Sequence, residues 1–292
     1  MIEFSDFNPA VIAIWFFSAA GVAMFSNHPM ICGITLIGGI LLYVTRNKFT
    51  HMKSHLFFLV LFLMLALANP IVSHNGKTVL FVMNDNPVTL ESLLYGINSA
   101  AMIVGVLYLF RSFTQIMTSE KLLYVTGRIS PKIAMILSMA IRYVPLFSRQ
   151  GQKVSDTQKA LGLYSDDNII DDISGHMRVF SVIATWGLEN GIITADSMEA
   201  RGYGIGRRSQ MRRFNFKLHD GLFLALTVAL TAICGAASAM GELSFSFYPS
   251  IGSDETGFLG KSGILAYALL LLMPVIIETE VSLRWKYLQS KI

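Results

Sequence analysis

The chain has 292 residues, 53% of them hydrophobic and only 14% charged, with a formal net charge of +4 and a mean hydropathy of +0.54. A soluble domain carries about 25% charged residues, so this chain lacks the polar surface that a water-soluble enzyme of its size requires. The composition excludes a disordered chain, a coiled coil and a small disulfide scaffold, and predicts an all-α polytopic membrane protein.

In chain order, Met1-Ile2-Glu3-Phe4-Ser5-Asp6 carries acid where a cleavable leader carries Lys or Arg, so the first apolar run is expected to be retained. Crossing the hydrocarbon core takes about 20 mostly apolar residues. Six stretches approach that length, at about 9–27, 29–45, 55–73, 91–110, 219–240 and 262–280. The second is short and holds Gly33, Gly38 and Gly39. Only His28-Pro29 separates it from the first, which predicts a tight helical hairpin. Cys32 and Cys234 fall inside apolar runs and read as small buried hydrophobes. Ionisable or helix-breaking residues in the spans are few. Glu278 and Glu280 near an end read as helix-end polar groups, and Asn69-Pro70 as a proline kink. An intramembrane enzyme or a self-sufficient secondary transporter, the two alternative readings, would show charged or interrupted spans.

With the N-terminus cytoplasmic, 21 of the 23 Lys and Arg fall in segments 1–8, 46–54, 111–218 and 281–292, leaving Lys77 and Lys261 outside. The positive-inside rule therefore predicts a multi-pass protein of the cell membrane with both termini cytoplasmic. Three regions follow: four spans in 1–110, a cytoplasmic insertion at 111–218 holding 15 of the cations, and two spans in 219–292.

The insertion reads as two long amphipathic helices. Ser130 is a reasonable N-cap and Pro131 suits the first helical position. Ile133, Ile136, Leu137, Ala140, Ile141 and Val144 then form a helical stripe, with Arg142, Arg149 and Lys153 opposite. Pro145 is expected to kink this helix, and Gly162 to stop it. The break at 163–172 holds Asp166, Asp167, Asp171 and Asp172. They lack the register of a calcium loop and read as capping and solvation.

A second helix is predicted from about Ile173 to Arg201, with Met177, Phe180, Ala184, Leu188 and Ile192 on one side. Gly187, Gly191 and Ala195 recur every four residues, as do Ala134 and Ser138 on the first helix, a spacing that suits a close crossing of the two. Gly202, Gly204 and Gly206 unwind the chain just after Arg201. A guanidinium at such an exposed helix end suits docking into an acidic or carbonyl-lined groove, and it also suits the helix dipole as a plain C-cap.

Ser197-Met198-Glu199-Ala200-Arg201-Gly202-Tyr203, preceded by Ile141-Arg142-Tyr143-Val144-Pro145-Leu146 and Gln158-Lys159-Ala160-Leu161-Gly162, resembles the transmembrane T component of energy-coupling factor (ECF) transporters, the EcfT/CbiQ family. The resemblance implies a non-catalytic scaffold in an importer of vitamins or transition-metal ions. Two ATP-binding-cassette (ABC) ATPases, which hold the ATP and magnesium, and a substrate-binding S-type membrane subunit are its implied partners. It further implies that two coupling helices each end in an Ala-Arg-Gly-type motif whose arginine docks on one ATPase. Ala200-Arg201-Gly202 matches the second motif. At Ala160-Leu161-Gly162 the pattern departs, because Leu161 stands where the family arginine is expected. Either that contact is apolar, or Lys159 or Lys153 substitutes, or it is weaker.

Behind the second motif, Arg207, Arg208, Arg212, Arg213 and Lys217 read as a juxtamembrane patch attracted to anionic lipid, and they lack the aromatic platform of a nucleic-acid site. Gly257-Phe258-Leu259-Gly260-Lys261-Ser262 ends like a P-loop, but Glu255 stands where the first Gly is needed. His51 and His55 share a spacing of four without a third ligand and read as loop residues, so no metal site is expected. No compact nucleophile motif appears, and no cofactor or catalytic residue is assigned to this chain.

Overall fold

The structure, a computed structural model, describes residues 3–47, 52–72, 76–83, 86–163, 169–206, 214–248, 252 and 257–289. After a short 3-10 turn at Phe4–Asp6 come α1 (Pro9–Phe25), α2 (Pro29–Asn47), α3 (Met52–Val72), strands β1 (Val79–Met83) and β2 (Asn86–Thr89), and α4 (Leu90–Ile116). The chain continues through α5 (Ser119–Ile129), α6 (Pro131–Ala160), α7 (Ile169–Ala200), α8 (Leu218–Ala239) and α9 (Phe258–Gln289). Five of these, α2, α3, α4, α8 and α9, are long and apolar enough to cross a membrane. The 17 residues of α1 rise about 25 Å, a little less than the ~30 Å hydrocarbon core. The protein is an all-α polytopic membrane protein with one small hairpin, in which β1 and β2 pair antiparallel with Val82 opposite Pro87.

Contacts divide the chain into two compact units, one of Met1–Leu122 with Phe214–Ile292 and one of Leu123–Arg213.

In the first unit, glycine decides which helices touch. A Cβ on Gly39 of α2 would lie 2.9 Å from the Gly105 carbonyl oxygen of α4, and one on Gly105 would lie 2.8 Å from the Leu36 nitrogen. Without side chains the two backbones meet directly, the usual route to tight association in lipid, where apolar burial gives helices little drive to pair. This pairing corrects the expected α1–α2 hairpin. The turn between them is short, but α2 packs mainly along α4 and α9, while α1 packs along α8 and α4.

Several polar side chains inside this unit bond to backbone groups or to each other, as an apolar surround favours. The Trp15 indole donates to the Leu270 carbonyl at 2.9 Å, and the Tyr267 hydroxyl meets Thr35 Oγ1 at 2.8 Å and the Ala19 carbonyl at 3.2 Å. Asp220 at the start of α8 accepts from the Asn8 and Lys217 peptide N–H groups, which ties the starts of α1 and α8 together. The Lys121 ammonium donates to the carbonyls of Ser5, at 2.5 Å, and Ile116, at 3.1 Å, anchoring the N-terminal segment at the C-terminal end of α4. Burial pushes its pKa below the usual lysine range; Arg46 adds to the depression and Asp6 opposes it. Cys32 and Cys234 are free and buried.

Two further expectations need correcting. His55 is a residue of α3 and not of a loop: its Nδ1 lies 3.1 Å from the Tyr108 hydroxyl, and its ring stands edge-on to Tyr43. The first long helix of the insertion is preceded by α5, whose 11 residues carried no signal strong enough to separate them from a connecting segment.

Candidate functional site

The second unit carries the residues singled out by sequence. Ser130 caps the backbone of α6, its carbonyl accepting from Ala134 N–H at 3.1 Å, though its hydroxyl makes no cap bond. α6 continues through Pro145 as one 30-residue helix. α7 begins at Ile169, four residues earlier than expected, so Asp171 and Asp172 sit in its first turn, where carboxylates favour the helix dipole. Asp166 and Asp167 lie outside the described residues, as do His51 and Arg207, Arg208, Arg212 and Arg213.

α6 and α7 run antiparallel. Tyr143 Oη meets Thr194 Oγ1 at 2.9 Å, the Phe147 and Trp186 rings stand edge to face at 5.7 Å, and a Cβ on Gly187 would lie 2.8 Å from the tip of Phe147. One turn further on, a Cβ on Gly151 would lie 2.9 Å from Ile183 Cδ1. As the α6 number rises, the α7 number falls. The row of α6 that meets α7 is thus Met135, Met139, Tyr143 and Phe147, where Met and aromatic residues at a spacing of four were the missed signal. Ala134 is half-buried beside that row and Ser138 is exposed. On α7, Gly187 lies under Phe147, while Gly191 has open space beside it. Gly191 and Ala195 line a groove of about 430 Å³ with the three methionines Met135, Met139 and Met198.

The apolar stripe read from α6 points away from this contact: Ile133, Ile136 and Val144 are exposed, as are Met177, Phe180, Leu188 and Ile192 of α7. Arg142, Arg149 and Lys153 are exposed too.

The two helices end alike. After α6, Gly162 N–H bonds to the Lys159 carbonyl at 3.0 Å and Leu163 N–H to the Gln158 carbonyl at 3.1 Å; after α7, Gly202 N–H bonds to Glu199 at 2.9 Å and Tyr203 N–H to Met198 at 3.0 Å. Both are Schellman closures, and both need a left-handed residue just past the cap. Gly162 supplies it with φ +69° and Gly202 with φ +78°. In each, the residue at the cap itself is the variable one, Leu161 or Arg201, following Ala160 or Ala200. α8 closes in the same way at Met240-Gly241, so the closure alone marks no function. Its consequence is geometric: the cap side chain leaves the helix where the backbone turns away.

Leu161 is 69% exposed, and Arg201 is exposed with no side-chain hydrogen bond among the described residues. Arg178 of α7 donates to the Leu163 carbonyl at 3.0 Å and so braces the loop after α6. Because α6 and α7 are antiparallel, the two caps stand at opposite ends of the pair, roughly 40 Å apart at 1.5 Å per residue.

The P-loop lookalike runs into the first turn of α9, where Glu242 Oε2 accepts from Gly260 N–H. Among the described residues, no three His, Cys, Asp or Glu side chains group as a metal site.

Residues 4–212 match the CbiQ family, described as "Cobalt transport protein". Among curated proteins the chain is 26% identical over 102 residues to the energy-coupling factor transporter transmembrane protein EcfT 1 of Listeria monocytogenes, covering 34% of this chain and 38% of that one. It is 28% identical over 101 residues to EcfT of Streptococcus equi, with 34% and 38% covered, and 25% identical over 146 residues to EcfT of Brevibacillus brevis, with 45% and 55% covered. The chain thus spans between about two fifths and about half the length of these relatives.

Proposed function

The chain belongs to the CbiQ family of cobalt transport proteins, and on that premise we propose that it is the transmembrane coupling component of an ATP-driven, ECF-type importer for a vitamin or a transition-metal ion. Its three parts are the spans in 1–110, the coupling-helix region at 111–218 and the spans in 219–292. It sits in the cell membrane with both termini cytoplasmic, and it catalyses nothing itself. Two ABC-type ATPases bind ATP and magnesium, and a separate S-type membrane subunit captures the substrate. The names of the EcfT relatives support this assignment.

The observation that carries the reading is the pair of exposed cap side chains, Arg201 and Leu161, that two matching helix ends project in opposite directions. An importer with two ATPases needs two docking points on one rigid element, and α6 and α7 offer two identically closed ends facing opposite ways. Ala200-Arg201-Gly202 presents a guanidinium, whose fork of donors suits a carboxylate or carbonyl groove. Ala160-Leu161-Gly162 presents an apolar side chain in the same frame, which supports two non-equivalent contacts. Of the small residues, Gly187 lies in the crossing that holds the two ends apart, Gly191 and Ala195 line the groove next to it, Ala134 stands beside its α6 row and Ser138 is exposed.

The experiment is purification of the tagged full chain from its own host in mild detergent. ABC ATPases and a small membrane protein are expected with it, and ATP hydrolysis by the complex but not by the chain alone. Substrate uptake by the isolated chain in liposomes would overturn the proposal in favour of a self-sufficient carrier.

A further inference from the structure

Away from the coupling helices, one cavity of the first unit is neither apolar nor explained by coupling. It has a volume of about 380 Å³ and lies between the C-terminal end of α2 and the last turns of α9, lined by Glu3, Thr45, Arg46, Glu278, Ser282 and Trp285 among others. Arg46 and Glu278 face each other across it with Nη1 and Oε1 3.4 Å apart. A well-formed guanidinium–carboxylate pair closes to about 2.7–2.9 Å. Here the two meet loosely, and both Arg46 Nη1 and Glu278 Oε2 are buried without a hydrogen-bond partner. Buried polar atoms are rarely left so in native proteins, and each such orphan calls for an unseen partner.

Charge and depth say what that partner is. Among the described residues that line the cavity, Arg46 is the cation, and Glu3 and Glu278 are the carboxylates. Asp6 and Lys121 are also close enough to interact with this group, but the Lys121 ammonium is occupied by two carbonyls. A ligand that satisfies the set carries both an anion for Arg46 and a cation for the carboxylates. The cavity sits where the apolar stretches of α2 and α9 give way to charge. α9, with 32 residues, rises about 48 Å and outruns the ~30 Å core by several turns. Trp285 on its wall is 54% exposed, and indoles favour the headgroup level of a bilayer.

We propose that this cavity binds the headgroup of phosphatidylethanolamine drawn from the bilayer, with its phosphate on Arg46 and its primary ammonium on Glu278 and Glu3. The primary amine follows from the orphan carboxylate oxygen. An ammonium donates hydrogen bonds to it, whereas the quaternary amine of phosphatidylcholine has no donor and would need an aromatic cage that one indole does not make. Phosphatidylglycerol brings an anion for Arg46 and nothing for the carboxylates.

The test uses the full chain, delipidated in detergent and offered equal amounts of phosphatidylethanolamine, phosphatidylcholine and phosphatidylglycerol, with bound lipid counted by native mass spectrometry. Phosphatidylethanolamine is expected to be retained about tenfold over phosphatidylglycerol, the loss typical of one charge-assisted hydrogen bond. Glu278→Gln, and independently Ser282→Trp, which fills the cavity, bring that ratio near one while thermal melting in detergent reports that each variant is folded. Equal retention of the three lipids by the unaltered chain overturns the proposal, and so does an undiminished preference in a folded variant. Soluble glycerophosphoethanolamine at millimolar concentration is expected to leave the bound lipid in place. Displacement by it at the same concentration as by the lipid assigns the cavity to a free phosphoamine and overturns the lipid source.

Discussion

Replacing Arg201 and Leu161 separately by Ala tests whether one helix-end geometry carries two chemistries. Arg201 makes no side-chain hydrogen bond among the described residues, so Arg201→Ala is expected to change the chain's own stability by less than about 0.5 kcal/mol. In a partner's groove the same change removes hydrogen bonds to a charged group, about 1.5–3 kcal/mol each, which weakens the complex roughly 10- to 150-fold for a single bond. Leu161 is 69% exposed. Truncating it deletes apolar surface that docking covers on one side, about 1 kcal/mol or roughly fivefold. The assay is capture of the ATPases by tagged full chain across a salt series. The Arg201 contact should weaken as ionic strength rises and the Leu161 contact should not. Equal losses from both variants, or identical salt responses, would refute the reasoning.

Three other outcomes follow from the packing. Gly105→Ala puts a Cβ 2.8 Å from the Leu36 backbone nitrogen and should destabilise the first unit by about 3 kcal/mol, whereas Gly33→Ala, with nothing within 4 Å, should stabilise it by about 0.5–1 kcal/mol; melting in one detergent compares them, and similar shifts would contradict the α2–α4 contact. Gly202→Ala, at φ +78°, should cost about 1–2 kcal/mol and fray the end of α7, read as faster amide exchange at Gly202 and Tyr203; unchanged exchange would reject the closure. Lys121 has a folded pKa below its unfolded value, so between the two, the upper one near about 10.4, the unfolded chain holds more protons and stability rises with pH. Lys121→Gln should abolish that rise, and an unaltered slope would show that Lys121 does not cause it.

The spans and their class were legible in the sequence because lipid imposes one strong rule: a long apolar run with few charges. What lay outside that rule was harder to read. The hairpin Val79–Met83 with Asn86–Thr89 is too short to stand out from a loop, and Pro87 within it argues against a strand. Helix partners were misjudged where chain proximity suggested one neighbour and glycine placement selected another. Gly39 and Gly105 make α4 the partner of α2, and nothing in the number of residues between α1 and α2 encodes that. On α6 the spacing offers Ala134 and Ser138 for the crossing, yet it is the Met and aromatic row at 135, 139, 143 and 147 that meets α7, with Phe147 filling the space that Gly187 leaves.

The Leu161 departure becomes informative because the backbone does not depart. Had the first motif lost its function altogether, its glycine would be under no demand from a docking partner, although the end of α6 would still need some terminator. A terminator alone does not require the Ala-x-Gly frame, the same pair of Schellman bonds and an exposed cap side chain, all of which α6 shares with α7. α8 shows the limit of that argument, since Ala239-Met240-Gly241 has the same frame, the same pair of bonds and an exposed cap side chain. The discriminating feature is therefore the side chain that each closed end projects. A guanidinium at one end and an isobutyl group at the other, held at opposite ends of one antiparallel pair, favour a socket lined with acceptors for the first and an apolar socket for the second. Such non-equivalent contacts lean toward two different ATPases over two identical copies.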